Sequence, residues 1–301
     1  MSVIRVEDLV FRYPDGTPAL DGVTLEIARG EFVAFIGQNG SGKTTLSKCL
    51  AGLLRPTRGR VIVDGIDTGA KGVMKDLVRR IGYVFQNPDH QLFNSRVYDE
   101  ISYGPKNLGV PEAERDAIVR EVAAVTGVRE EFFAEHPFFL SKGLRQRVAI
   151  ASTLAVRPQV IVVDEPTTGQ DYRQSMDVMD FLARLRRQGG HTIIIVTHEM
   201  PIVAAYAERV IALRKGQVLM DGSTREVFSR PDLLAETFVK PPQATRLGHA
   251  WSALGIRPGV LTAGDLVAEI ERAVAAQGGI TAACEPGRRS AQEVRRATAD
   301  G

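Results

Sequence analysis

The sequence predicts an α/β fold whose parallel strands deliver a phosphate-binding loop and several polar residues to one sheet edge. Three observations lead there. Gly37-Gln38-Asn39-Gly40-Ser41-Gly42-Lys43-Thr44 reads G-x-x-x-x-G-K-T, with an apolar strand-like run at 31–36 before it and a helix-like run at 45–51 after it. The short apolar runs 160–163 and 192–196 read as buried strands, and each ends in polar residues, Asp164-Glu165 and Thr197-His198. Residues 3–11 and 23–27 alternate apolar and polar side chains, which predicts two antiparallel strands ahead of the loop.

The chain has 301 residues, enough for one large α/β domain and a smaller appendage. Its 44% hydrophobic and 25% charged residues are the balance of a globular protein, and a formal net charge of +2 argues against nucleic acid as a partner. Cys49 and Cys284 lack metal-ligand spacing and make no disulfide framework, which fits a reducing interior. The first residues carry no basic-then-apolar leader pattern, and no apolar run approaches the roughly 20 residues of a membrane span. A membrane role therefore has to come through a partner.

Taken in order, the elements gather around the loop. Tyr13-Pro14-Asp15-Gly16 is a turn after the first strand, and Tyr13 offers an aromatic face for an adenine ring. In the loop, Gly37, Gly40 and Gly42 let backbone N–H groups close around a polyphosphate without a Cβ in the way. Asn39, Gly40, Ser41, Gly42, Lys43, Thr44 and Thr45 are the expected nucleotide contacts, with Lys43 reaching the β- and γ-phosphates of a nucleoside triphosphate and Thr44 holding Mg²⁺. Residues 59–65 read as a strand and turn, and 81–85 as a strand ending at Gln86, which is placed to touch Mg²⁺ or the attacking water. From 97 to about 129 the pattern is helical, with Pro111 opening one helix, so 97–157 reads as an inserted helical subdomain.

Ser141 is the expected N-cap of a helix running on to residue 155. Asp164, at a strand tip, suits Mg²⁺, and Glu165 beside it suits a general base for water. His198 is expected at the same edge, against the γ-phosphate. Residues 210–213 and 217–222 read as a closing hairpin. The composition changes after residue 230, which divides the chain into a main domain, 1–230, and an extension, 231–301. Lys240-Pro241-Pro242 reads as a linker, 265–274 as an amphipathic helix, and the polar stretch from 285 as disorder.

The ordered set of Tyr13, the loop, Gln86, Leu140-Ser141-Lys142-Gly143-Leu144, Asp164-Glu165, Thr168-Gly169-Gln170-Asp171 and His198 resembles the nucleotide-binding subunits of ATP-binding-cassette (ABC) transporters. The resemblance covers about 3–229. Tyr83-Val84-Phe85-Gln86-Asn87-Pro88-Asp89-His90-Gln91 and Val97-Tyr98-Asp99-Glu100 are similar to the ATPases of energy-coupling-factor and cobalt importers. The resemblance implies an antiparallel β-subdomain, a RecA-like core, the helical insert and a small C-terminal extension. It implies ATP and Mg²⁺, hydrolysis with Glu165, His198 and Gln86 as catalytic residues, and Thr44, Gln86 and Asp164 around the metal. It also implies a second cassette whose nucleotide is met by Ser141 and Gly143 of this chain, a transmembrane coupling subunit with a substrate-binding membrane component, and residence at the cytoplasmic face of the membrane. The cargo would be a vitamin or a transition-metal ion.

One departure stands out. The family's usual signature is L-S-G-G-Q, whereas Lys142 and Leu144 replace a glycine and the glutamine here. The expectation is a weaker composite site at this signature and a heterodimer, with a homodimer as the alternative. A left-handed backbone at Lys142 would add a steric cost. The competing readings are a cassette ATPase acting on ribosomes or DNA, the ATPase of another ABC transporter class, and a regulatory cassette without catalysis. A single cassette without sustained heptads speaks against the first, and intact Lys43, Asp164, Glu165 and His198 against the last.

Overall fold

The computed structural model describes residues 1–168 and 170–276. β1 (Ser2–Arg12) and β2 (Pro18–Ala28) pair antiparallel across the Tyr13–Gly16 turn, where Gly16 takes a φ of 85°. Their alternation buries Ile4, Val6, Leu9, Val23, Leu25 and Ile27 on one face. β3 (Phe32–Ile36) follows, buried at every position, and the loop then opens α1 (Lys43–Leu50). β4 (Arg58–Val63) and β5 (Ile66–Asp67) join the first two strands in an antiparallel sheet of order β2-β1-β4-β5.

α2 (Met74–Leu77) and β6 (Ile81–Val84) lead into three helices, α3 (Val97–Asn107), α4 (Glu112–Thr126) and α5 (Lys142–Leu154). These pack on one another and stand between β6 and β7 (Val160–Asp164) in the chain. Pro111 is the N-cap of α4, and Gly127 in left-handed conformation closes it. α6 (Tyr172–Gly189), β8 (Thr192–Val196), α7 (Met200–Tyr206) and the antiparallel hairpin of β9 (Arg209–Arg214) and β10 (Gln217–Ser223) complete the core.

The second sheet has the order β10-β9-β3-β8-β7-β6, parallel except for the β9–β10 hairpin. β7 and β8, like β3, are buried throughout, as strands of a parallel sheet covered on both faces are. One apolar core joins both sheets: Val6, Leu9 and Ile27 pack in the same cluster as Phe35, Leu46, Val162 and Ile194. Because β6, β7, β8 and β3 run parallel, their C-terminal ends share one edge. The loop after β3, Asp164-Glu165 after β7, Thr197-His198 after β8 and Gln86 after β6 all leave the sheet there.

α8 (Thr224–Phe228) carries a capping box between Ser223 and Glu226, and α9 (Pro231–Glu236) follows it. The first compact unit ends at Pro242, not at residue 230. The reason is burial: Leu234 is fully enclosed, α9 packs on α8, and Glu236 pairs with Arg214 of β9. In the second unit α10 (Gln243–Ala250) and α11 (Ala263–Ala276) pack through a small core of Ile256, Val260, Leu266 and Ala273. Glu269 pairs with Arg257 and Arg272, which hold its carboxyl well below the usual carboxylate range. The polar stretch expected to be disordered from 285, and Cys284, lie outside the described residues.

Candidate nucleotide site

The loop's conformation follows from its glycines. Gly37 has φ 140° and Gly42 has φ 104°, and a Cβ on Gly37 would stand 2.3 Å from the Leu213 carbonyl oxygen. A Cβ on Gly42 would stand 2.6 Å from the Ala19 carbonyl oxygen, so only glycine lets the loop pass between β2 and β9. Asn39 and Gly40 sit exposed at the loop tip, and Lys43 is 7% exposed. The Lys43 ammonium donates to the Gly37 carbonyl at 2.8 Å and to the Gln38 carbonyl at 2.9 Å, bridging the loop it closes. Burial lowers its pKa, opposed by the nearby charges of Glu165 and Asp164.

Thr44 and Asp164 meet across the sheet edge, with Thr44 Oγ1 donating to Asp164 Oδ1 at 3.4 Å. Asp164 is nearly buried, and desolvation raises its pKa. Tyr83 Oη donates to Asp164 Oδ2 at 2.8 Å, a contact that sequence reasoning passed over. No sequence signal marks it: Tyr83 lies one residue from the tip of β6, and only the structure places β7 beside that strand. Tyr83 Oη also lies 3.4 Å from Ser47 Oγ, one turn beyond Thr44.

Glu165 has a left-handed backbone, φ 50°, a strained conformation for a residue with a Cβ. Its N–H donates to the Val196 carbonyl of β8 at 2.8 Å, which fixes the turn after β7. Its carboxylate is held from both sides, by Thr168 Oγ1 at 3.1 Å and by His198 Nδ1 at 2.9 Å. His198 leaves β8 at the same sheet edge, is exposed, and sets Nδ1 against Glu165. Gln86 leaves β6 two residues after Val84, which pairs with Val163, so it is level with Glu165 and exposed.

Tyr13 is held by its hydroxyl, 2.9 Å from Thr45 Oγ1, and by an edge-to-face contact with Phe11 at 5.1 Å. The contact to Thr45 fastens the partly exposed ring to the first turn of α1. Ser141 caps α5, accepting from the Leu144 N–H at 3.4 Å, and it is exposed. Lys142 is the first residue of α5, so its backbone is helical and carries no left-handed cost. Its ammonium does not extend outward. It donates to the Thr168 carbonyl of its own chain at 3.0 Å. A Cβ on Gly143 would meet Gln174 Oε1 at 3.2 Å.

The residues present fit a magnesium-bound nucleoside triphosphate. Ser41 Oγ is buried in the loop without a hydrogen-bond partner, a hydroxyl waiting for an acceptor. No cluster of three or more His, Cys, Asp or Glu suited to a metal occurs among the described residues. One carboxylate, Asp164, beside the Thr44 hydroxyl is the sparse protein share typical of a Mg²⁺ held chiefly by phosphates.

The comparisons with known proteins agree with this geometry. A family described as ABC transporter matches residues 20–168. The chain is 39% identical over 249 residues to the energy-coupling factor transporter ATP-binding protein EcfA of Methanocaldococcus jannaschii, covering 82% of this chain and 88% of that protein. It is 40% identical over 250 residues to EcfA2 of Clostridium perfringens, covering 81% and 88%. The solved structure of CbiO1 from Clostridium perfringens, described as part of the ABC transporter complex CbiONQ, superposes with a TM-score of 0.70 at 36% identity, over 83% of this chain and 99% of that one. Other curated relatives are longer. A protein of Caldanaerobacter subterraneus is 49% identical over 247 residues, and this chain spans 43% of its length.

Proposed function

The chain belongs to the ABC transporter ATPase family, and on that premise we propose that it binds and hydrolyses ATP as the energising cassette of an energy-coupling-factor importer. The observation that carries the proposal is the sheet edge itself. Lys43, Thr44, Asp164, Glu165 and His198 follow the ends of three parallel strands: Thr44 bonds Asp164, His198 bonds Glu165, and Lys43 lies near enough to feel the charge of both carboxylates.

Each side chain has a task in that chemistry. Lys43 gives up its bonds to the Gly37 and Gln38 carbonyls and turns to the β- and γ-phosphate oxygens. Thr44 and Asp164 would hold a Mg²⁺, which would neutralise charge on the phosphates. Glu165 takes a proton from the attacking water, and His198, bonded to the carboxylate, steadies its orientation. Gln86 positions water or metal at the same edge. Tyr13 stacks on the adenine. Ser141 and the Gly143 N–H, at the N-terminus of α5, face the γ-phosphate held by a second cassette, where the helix dipole favours an anion.

A second cassette is part of the proposal. Similar cassettes at 30% and 31% identity, both with a TM-score of 0.68, are described as dimers, one of them bound to ADP and Pi. The replacement of the usual signature by Lys142 and Leu144 favours a partner of different sequence, with a homodimer as the alternative. Hydrolysis removes the γ-phosphate contacts between the halves, so the pair opens. Gln91 carries that motion into the helical subdomain, because it bonds the Phe85 N–H and the Ala149 carbonyl together. An apolar groove lined by Leu53, Met74, Phe85, Tyr103, Leu108 and Val156 is the proposed seat of a transmembrane coupling subunit. No helix among the described residues is long and apolar enough to cross a membrane, so attachment to the cytoplasmic face would be peripheral. The cargo, a vitamin or a transition-metal ion, would be chosen by a membrane component. Affinity purification from detergent-solubilised membranes tests the assignment: integral proteins and a second cassette are the expected companions. Recovery with ribosomes or DNA and no integral protein would overturn it.

A further inference from the structure

We propose that Lys142 is a positioning residue that ties the signature end of α5 to the hydrolytic carboxylate of the same chain, so that Glu165 senses what Ser141 engages. The inference rests on the paired-cassette reading above and adds a route between the two nucleotide sites. Ser141 serves the nucleotide held by the other cassette, whereas Glu165 serves the nucleotide held by this one. Something must join them if the two sites are to act together.

Two consecutive hydrogen bonds make the join. Lys142 follows Ser141 directly, and its ammonium donates to the Thr168 carbonyl at 3.0 Å. Thr168 in turn donates through Oγ1 to Glu165 Oε2 at 3.1 Å. Both Lys142 and Thr168 are half-buried, so the contact is partly shielded from competing water. The far end of the same segment is also fastened, because Gln170 Nε2 donates to the Pro166 carbonyl at 2.9 Å.

Glu165 is a sensitive receiver. Its left-handed backbone is not a conformation that the residue adopts unaided, and its surroundings hold it there. The N–H is fixed by Val196 and one carboxylate oxygen by His198. Thr168 holds the other oxygen, and Lys142 holds Thr168. Lysine suits this post because its ammonium is a compact charge on a four-carbon stem, able to reach a backbone carbonyl that a glycine at this position has no side chain to meet. A shift of Ser141 toward a nucleotide therefore pulls on Thr168 and reorients Glu165. A misplacement of a base by about 1 Å is enough to change a rate by orders of magnitude.

Four full-length variants test the link: Lys142→Met, Lys142→Arg, Thr168→Val and the Lys142→Met/Thr168→Val double. Hydrogen–deuterium exchange without nucleotide reads the contact itself. Lys142→Met is expected to speed exchange over residues 163–168 by about tenfold while residues 37–44 are unchanged, and Lys142→Arg to restore protection. In ATP hydrolysis, Lys142→Met is expected to lower kcat by about tenfold with KM within about twofold of wild type, Lys142→Arg to recover it, and the double variant to be no slower than the slower single. Wild-type exchange in Lys142→Met, or losses that multiply in the double variant, would overturn the inference. Glu165→Gln separates the two levels. If that variant loses turnover while Lys142→Met behaves as wild type, only the link is wrong. If Glu165→Gln turns over normally, the reading of the site fails, and the exchange result alone decides the contact.

Discussion

Replacing Glu165 by glutamine isolates the proposed base with little change of shape. The side chain keeps its length, and one oxygen remains to accept a hydrogen bond. In the native site the carboxylate is held by Thr168 Oγ1 at 3.1 Å and His198 Nδ1 at 2.9 Å. The Thr168 hydroxyl can accept as well as donate, so the amide can keep both partners, and the cost to the fold stays under about 1 kcal/mol. What the amide cannot do is take a proton from water. Removal of a general base lowers a rate by about 10²- to 10⁴-fold, or roughly 2.7–5.5 kcal/mol in barrier. The assay is phosphate release under saturating MgATP, with nucleotide affinity measured separately. Expected are turnover reduced by at least about a hundredfold and ATP affinity within about threefold of wild type. Turnover within about twofold of wild type would remove Glu165 from the base role and refute the reasoning from its position.

Asp164→Asn separates stability from metal binding. Burial raises the Asp164 pKa, so its ionised form costs the folded state stability, a cost fully present above the folded pKa and absent below the unfolded one. At neutral pH the nucleotide-free variant should be at least as stable as wild type in thermal unfolding. MgATP at a hundredfold excess over Kd should stabilise wild type by about 2.7 kcal/mol and the variant by less than about 1 kcal/mol. Gly37→Ala forces a Cβ to 2.3 Å from the Leu213 carbonyl oxygen at a φ of 140°. Urea unfolding should show a loss of about 3 kcal/mol or more, with ATP binding abolished. Burial pushes the Cys49 thiol up to about 12, so peptide mapping after iodoacetamide treatment of the native protein at pH 8 should find Cys49 unmodified.

Much of this architecture was legible because the residues that shape it act locally. The loop's glycines announce their backbone, and β3, β7 and β8 are apolar at nearly every position because both faces are covered. Shared strand direction then carries Glu165, His198 and Gln86 to one edge. Contacts that depend on tertiary placement were hidden. Tyr83 reads only as a residue of a strand until β6 is known to lie beside β7, and nothing in Lys142 announces that its ammonium will meet Thr168, 26 positions away in the chain. The end of the first unit was also misplaced. The change of composition after residue 230 falls just past α8, whereas burial of Leu234 and the Arg214–Glu236 pair keep α9 with the first unit.

Native mass spectrometry of the Glu165→Gln protein, purified in MgATP from detergent-solubilised membranes, bears most directly on the proposed shared nucleotide site. Two cassettes retaining two ATP molecules, coming apart when nucleotide is withdrawn, is the predicted result. A lone cassette saturated with one ATP, with no second cassette joining it at any nucleotide concentration, would contradict it.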